Sequence, residues 1–150
     1  PSAPAVVYSY AEALFNLAEA VQRGYISGNA DEYYKQAIKA SFEQFGITDT
    51  DAVNSYLNHP AVQYNANSWK ESIGKQKWIA FFGQGLDAFA EWRRLDFPRL
   101  TPGPAAVLDE IPVRLFYPGT EQSLNGKNRN AAVARQGEDL LTTKLWFDVN

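Results

Sequence analysis

Apolar residues recur at helical spacing through the first hundred positions and lose that spacing from Thr101 onward. Over residues 8–23, Ala11, Leu14, Ala18 and Val21 fall on one stripe, and Glu12, Asn16, Glu19 and Arg23 on the opposite face. Glu19 precedes Arg23 by four, the favourable order for a helix ion pair. After a turn between Gly24 and Gly28, Asn29 followed by Glu32 predicts a capped second helix through Tyr34, Ala37, Ile38, Ser41 and Phe45, with Gly46 as its left-handed stop. A third helix through Val53, Tyr56 and Leu57 is predicted, capped by Thr48 or Thr50 and ended by His59-Pro60.

A polar loop, residues 60–67, leads to Ser68 and Glu71, which read as the capping box of a fourth helix. Its stripe is Trp69, Ile73 and Ala80. Trp78, Ile79, Phe81 and Phe82 cover the remaining directions, so this helix end is predicted to be buried all round. Gly83-Gln84-Gly85 breaks the helix and Leu86 to Arg94 starts a fifth. In the last third, Thr101-Pro102-Gly103-Pro104 is a turn or linker. The alternation of Ile111, Val113, Leu115 and Tyr117 with Pro112, Arg114 and Phe116 predicts an extended or edge strand. Asn125-Gly126 is a turn signal, residues 128–136 a short helix ending at Gly137, and the tail is extended with an apolar group at Leu145-Trp146-Phe147.

The expected fold class is therefore mainly α. The first two helices match the tetratricopeptide pattern: Leu14, Leu17 and Val21 surround the small Ala18, and Ala30, Tyr34 and Ala37 supply small, aromatic and small positions in the second helix. One such pair cannot bury its apolar face alone, because repeats of this kind stabilise one another by stacking. Three segments follow from the pattern: a tetratricopeptide-like helix pair over 1–46, aromatic helices over 47–100, and an irregular, loop-rich stretch with a short helix over 101–150. A chain that opens at Pro1 without an initiator Met reads as a piece of something longer.

Composition narrows the function classes. The 150 residues are 45% hydrophobic and 14% aromatic, enough for a ring-rich core. A formal net charge of −3 offers no field that would attract nucleic acid. No cysteine is present, so disulfides and thiolate metal sites are excluded. No apolar run reaches the length of roughly 18 residues that a membrane helix needs. His59 is the only histidine, which leaves no histidine-rich metal site, and no nucleophile elbow accompanies it. Gly83-x-Gly85 lacks the third glycine and preceding strand of a dinucleotide site. No cofactor, metal or catalytic residue is expected.

Two groups of residues stand out. Asp87, Glu91 and Arg94 share one face of the fifth helix and, with Arg93, read as a structural ion network. Glu91, Asp87, Glu138 and Asp139 are the acids open to a hydrolase reading, through Glu91 or the Glu138-Asp139 pair; that reading needs two carboxylates at a set separation. Tyr64, Asn65, Asn67 and Trp69 flank or form an amide-rich loop whose rings and amides suit sugar or peptide ligands, and they are the candidate ligand-binding residues.

The order of several short motifs resembles the SusD/RagB family, in its SusD-like branch. The motifs are Tyr10-Ala11-Glu12-Ala13-Leu14-Phe15, Tyr34-Lys35-Gln36-Ala37-Ile38, Gln76-Lys77-Trp78-Ile79-Ala80, Glu91-Trp92-Arg93-Arg94 with Phe97-Pro98, Ile111-Pro112-Val113-Arg114-Leu115-Phe116-Tyr117-Pro118 and Leu145-Trp146-Phe147-Asp148-Val149. The resemblance implies the C-terminal part of an α-helical, tetratricopeptide-like protein without catalytic activity. It would bind oligosaccharide or peptide nutrients at the outer cell surface and deliver them to a SusC-like TonB-dependent transporter. Membrane attachment would come from a lipid anchor outside this chain. The alternative is a tetratricopeptide-like adaptor for a protein partner.

Overall fold

The computed structural model describes residues 5–149. It contains two compact units, Pro1–Pro98 and Arg99–Asn150. Among the described residues all regular structure is helical. The mainly α expectation holds.

In the first unit α1 (Tyr10–Gln22) and α2 (Ala30–Gln44) form the tightly packed pair, α3 (Thr50–Asn58) follows, and α4 (Trp69–Ala80) and α5 (Gly85–Leu95) complete it. Ser9 caps α1 by accepting from the Glu12 N–H at 3.0 Å, and Asn29 caps α2 by accepting from Asp31 and Glu32. Gly46, at φ +74°, ends α2: its N–H reaches Glu43 O, and the Ile47 N–H reaches Phe42 O. This is the paired closure that a left-handed residue permits. Small Ala11, Ala18 and Ala37 let α1 and α2 approach, and Phe15 and Tyr34 meet edge to face at 6.1 Å in the core beside Ile73 and Leu95. The Tyr34 hydroxyl donates to Val62 O at 2.6 Å, tying α2 to the loop after α3.

Several local expectations are corrected. Asp49, not Thr48 or Thr50, caps α3, its carboxylate accepting from the N–H groups of Asp51 and Ala52. An acid at a helix N-terminus also meets the positive end of the dipole. Ser68 makes no capping bond. The chain enters α4 through a 3₁₀ turn, Ala66–Ser68, which Asn65 caps, and Glu71 pairs with Lys75 instead.

Within the described residues the end of α4 is not buried all round. The helix stops at Ala80, so Phe81 and Phe82 lie in the turn beyond it, where only Phe81 can point back to the core. Phe82 is 80% exposed, edge-on to Phe45 at 6.1 Å, and Ile79 is also exposed. Phe89 and Trp92 are half-buried and stack at 6.0 Å, and the Trp92 indole donates to Pro98 O.

In the second unit α6 (Gly119–Leu124), which the sequence pattern missed, runs into α7 (Gly126–Gln136) at the Asn125-Gly126 turn. The strand expected near residues 111–117 does not form. Pro112 and Pro118 remove ladder donors, and the segment touches Leu141 O only through the N–H groups of Val113 and Arg114. The expected facing also breaks at residues 114–116: Arg114 is buried while Leu115 and Phe116 are both exposed. The reason is Asp139, which accepts from Arg114 at 3.0 Å, from Arg129 at 2.8 Å and from the Tyr117 N–H at 3.1 Å. A carboxylate with three such donors outweighs an alternating apolar pattern. The Arg129 hydrogen bond is the main reason the Asp139 carboxyl sits below its usual range.

Candidate functional site

The polar face of α1 does not dissolve into solvent. Glu19 is buried, and its two oxygens accept from both terminal nitrogens of Arg94 on α5, at 2.5 and 2.6 Å. The same Glu19 accepts from Arg23 Nε at 2.7 Å, one turn further along α1. Arg94 also reaches Glu91 at 2.7 Å, and Glu91 in turn accepts from Lys77 Nζ at 2.7 Å. Lys77 is only 1% exposed and donates as well to Asn16 on α1, at 2.7 Å. Three helices are thus joined by one chain of charge, Arg23–Glu19–Arg94–Glu91–Lys77.

Its titration follows from this geometry. Burial by itself would raise the carboxyls of Glu19 and Glu91, but the hydrogen bonds and charges of Arg94, Arg23 and Lys77 outweigh it and hold both below their usual range. Burial would likewise lower Arg94, and its two glutamate partners push it above its usual value instead. Glu12, at the far end of the same α1 face, is raised by burial, with Lys77 opposing.

An open cleft of about 460 Å³ lies over this chain of charge, lined by Asn16, Glu19, Ala20, Arg23, Tyr25, Glu91 and Arg94. Tyr25 stands at its rim, 74% exposed, in the turn that closes α1. The Arg23 guanidinium forms a second wall and also covers the Trp69 ring at 4.9 Å. A cleft with fixed donors and acceptors beside one exposed ring, Tyr25, can grip a polyhydroxylated ligand: the ring stacks on a C–H face, and carboxylate and guanidinium groups bind hydroxyls.

The residues singled out from the sequence are placed as follows. Glu91 and Arg94 line the cleft, whereas Asp87 is exposed in the first turn of α5 and Arg93 turns away, its guanidinium over the Phe89 ring at 4.3 Å. Tyr64 is half-buried on the Tyr34 ring, and its hydroxyl donates to Gln22 at 2.6 Å. The Asn65 side chain is engaged in its cap, its N–H donates to Ser72, and Asn67 is exposed. Trp69 is half-buried beneath Arg23. Of these four loop residues, Trp69 is the one coupled to the cleft, through Arg23.

The sequence pattern does not mark Arg23, Tyr25 or Lys77 as site residues. The available signal for Lys77 was a lysine set just before a run of aromatic positions, where a buried ammonium demands acceptors. Tyr25 carries no such signal, because a tyrosine beside a glycine turn is common.

Comparison with curated proteins finds no match. Solved structures match over nearly the whole chain. A SusD-like protein of Bacteroidetes shares 30% identity at a TM-score of 0.85, covering 94% of this chain and 30% of its own. A SusD homolog from Bacteroides fragilis shares 35% at 0.79, covering 97% of this chain and 35% of its own. A chitin-binding SusD homolog from Flavobacterium johnsoniae shares 30% at 0.75, covering 93% and 36%. The chain therefore spans about a third of the length of these relatives. Residues 1–118 match the family described as "Starch-binding associating with outer membrane", and the chain belongs to this SusD-like family.

Proposed function

We propose that this chain forms part of a non-catalytic glycan-capture protein at the outer cell surface, held there by a lipid anchor elsewhere in the protein. It passes its cargo to a SusC-like TonB-dependent transporter. The observation that carries the binding role is the pairing of the fixed charge chain with the exposed Tyr25 ring at one cleft. The chitin-binding relative and the starch-binding family description support a saccharide over a peptide as the cargo. Trp69 and the exposed Asn67 extend the surface that a longer glycan would touch.

The state of the carboxylates supports capture without hydrolysis. A glycosidase pair needs one carboxyl held protonated beside one that is ionised. Glu19 and Glu91 are both held ionised by their cationic partners. A shallow cleft of this kind releases its ligand readily, which suits handover, and a polymeric ligand gains avidity from several weak contacts.

Isothermal titration with chitohexaose and maltoheptaose tests the reading. Binding of at least one of them is expected, weakened about tenfold by Tyr25→Ala, the loss of one stacking face. Absence of binding by both, or binding that Tyr25→Ala and Arg23→Ala leave unchanged, overturns the cleft as the glycan site. Copurification with a TonB-dependent barrel tests the delivery step.

A further inference from the structure

A second groove lies wholly within the C-terminal unit, in a stretch mostly beyond the residues that match the family. It measures about 620 Å³, a volume suited to a small ligand. Trp146 is its most accessible wall, 87% exposed and set perpendicular to Phe147 at 5.8 Å. The edge contact steadies the indole and leaves its face open to the solvent. Tyr117 stands in the same groove, with Arg135 and Gln136 from the last turn of α7.

The charge of the groove selects among ligands. Arg135 and Lys144 face one acid, Asp148, which is itself buried and already accepts from Lys144 at 3.1 Å. Arg135 is exposed and makes no hydrogen bond or ion pair among the described residues. A guanidinium in that position matches a carboxylate through two parallel N–H···O bonds, a geometry that a neutral hydroxyl cannot reproduce. A flat aromatic face, a primary amide and a guanidinium around one groove match the apolar face, the hydroxyl edge and the carboxylate of a single sugar ring.

We propose that this groove is a separate carbohydrate subsite for an acidic sugar, a uronic acid unit stacked on Trp146 with its carboxylate on Arg135. The proposal rests on the glycan-capture reading for its ligand class, but its residues are distinct from those of the α1–α5 cleft.

Titration with trigalacturonate, and with chitotriose in parallel, separates the two sites, read by calorimetry and by tryptophan fluorescence. Trigalacturonate is expected to change the fluorescence and to bind more weakly as salt is raised. Trp146→Ala should abolish that change, and Arg135→Gln should weaken trigalacturonate at least tenfold while leaving chitotriose unaffected. Both side chains are exposed, so these variants keep the fold, which circular dichroism verifies. Trigalacturonate bound equally well by either variant overturns the subsite. So does its binding in a manner that Tyr25→Ala abolishes, which would assign it to the cleft. Chitotriose binding without trigalacturonate binding overturns the acidic subsite and leaves the glycan reading standing. Failure of both probes overturns the acidic subsite, and the glycan reading falls with it only where maltoheptaose also fails to bind.

Discussion

Arg94 holds both carboxylate oxygens of Glu19 from 75 positions further along the chain, at 2.5 and 2.6 Å. The contact joins α5 to α1 by a planar, two-point match that a lysine cannot make. Glu19 is buried and has a second partner in Arg23, so deleting it takes two acceptors from Arg94 in a partly desolvated place. Glu19→Ala is expected to lower stability by about 3 kcal/mol, the low end for a broken buried pair because Glu91 stays with Arg94. Arg94→Lys, which keeps the charge and loses the fork, should cost about half as much. Urea unfolding midpoints check both, and a Glu19→Ala loss near zero would show the pair to be incidental.

The depressed carboxyls of Glu19 and Glu91 make the first unit sensitive to acid. A folded-state value below the unfolded one means that the contribution is complete above about 4.5, the ordinary glutamate value. It is lost as pH falls through the lower folded-state values. Glu12 is raised by burial and contributes with the opposite sign, gaining as it protonates. The loss from the two charge-paired carboxylates opposes that gain. Urea midpoints should be flat from about pH 7 to about pH 5 and fall below that, and Glu19→Gln should shallow the fall. An unchanged slope in that variant would place the acid sensitivity elsewhere.

Helix positions were legible because they rest on local signals. Asn29 and Gly46 specify the ends of α2 by backbone chemistry that needs no partner from elsewhere in the chain. The cleft was not legible, since it depends on which helices meet. Glu19 reads locally as the partner of Arg23, and nothing near it in sequence announces Arg94. Arg114 shows the same limit. Its alternating neighbours favour a strand, but a carboxylate 25 positions away draws it inward and turns Leu115 out. Phe82 fails for a smaller reason, a helix that stops two residues earlier than its apolar run.

Gly74 sits where α4 meets the chain leaving α5. A Cβ there would stand 2.8 Å from Phe97 Cβ and 3.1 Å from Phe97 O. In an open helix, Gly→Ala is expected to stabilise by about 1 kcal/mol. Here the contact is with backbone as well as a side-chain root, so neither can swing aside. Gly74→Ala should therefore destabilise, by about 1–3 kcal/mol as for overpacked cores. Thermal unfolding decides the sign, and a rise in Tm would mean that the Phe97 segment gives way at little cost.

The hydroxyl of Tyr34 makes a buried polar link between α2 and the loop at Val62, at 2.6 Å. Burial raises its pKa well above the usual tyrosine value, so it stays a donor throughout the neutral range. Tyr34→Phe preserves the ring contacts with Phe15 and Tyr64 and removes only the donor, leaving the Val62 carbonyl unsatisfied. That should cost about 1–3 kcal/mol. The half-buried Tyr64 offers a matched control: its hydroxyl donates to Gln22, whose amide stays near solvent and can turn to water. Tyr64→Phe should cost less than about 1 kcal/mol. The two variants are compared by urea unfolding at neutral pH. Equal losses would mean that burial of the acceptor does not set the energy of these hydroxyl bonds, and that the Val62 carbonyl finds water when Tyr34 no longer reaches it.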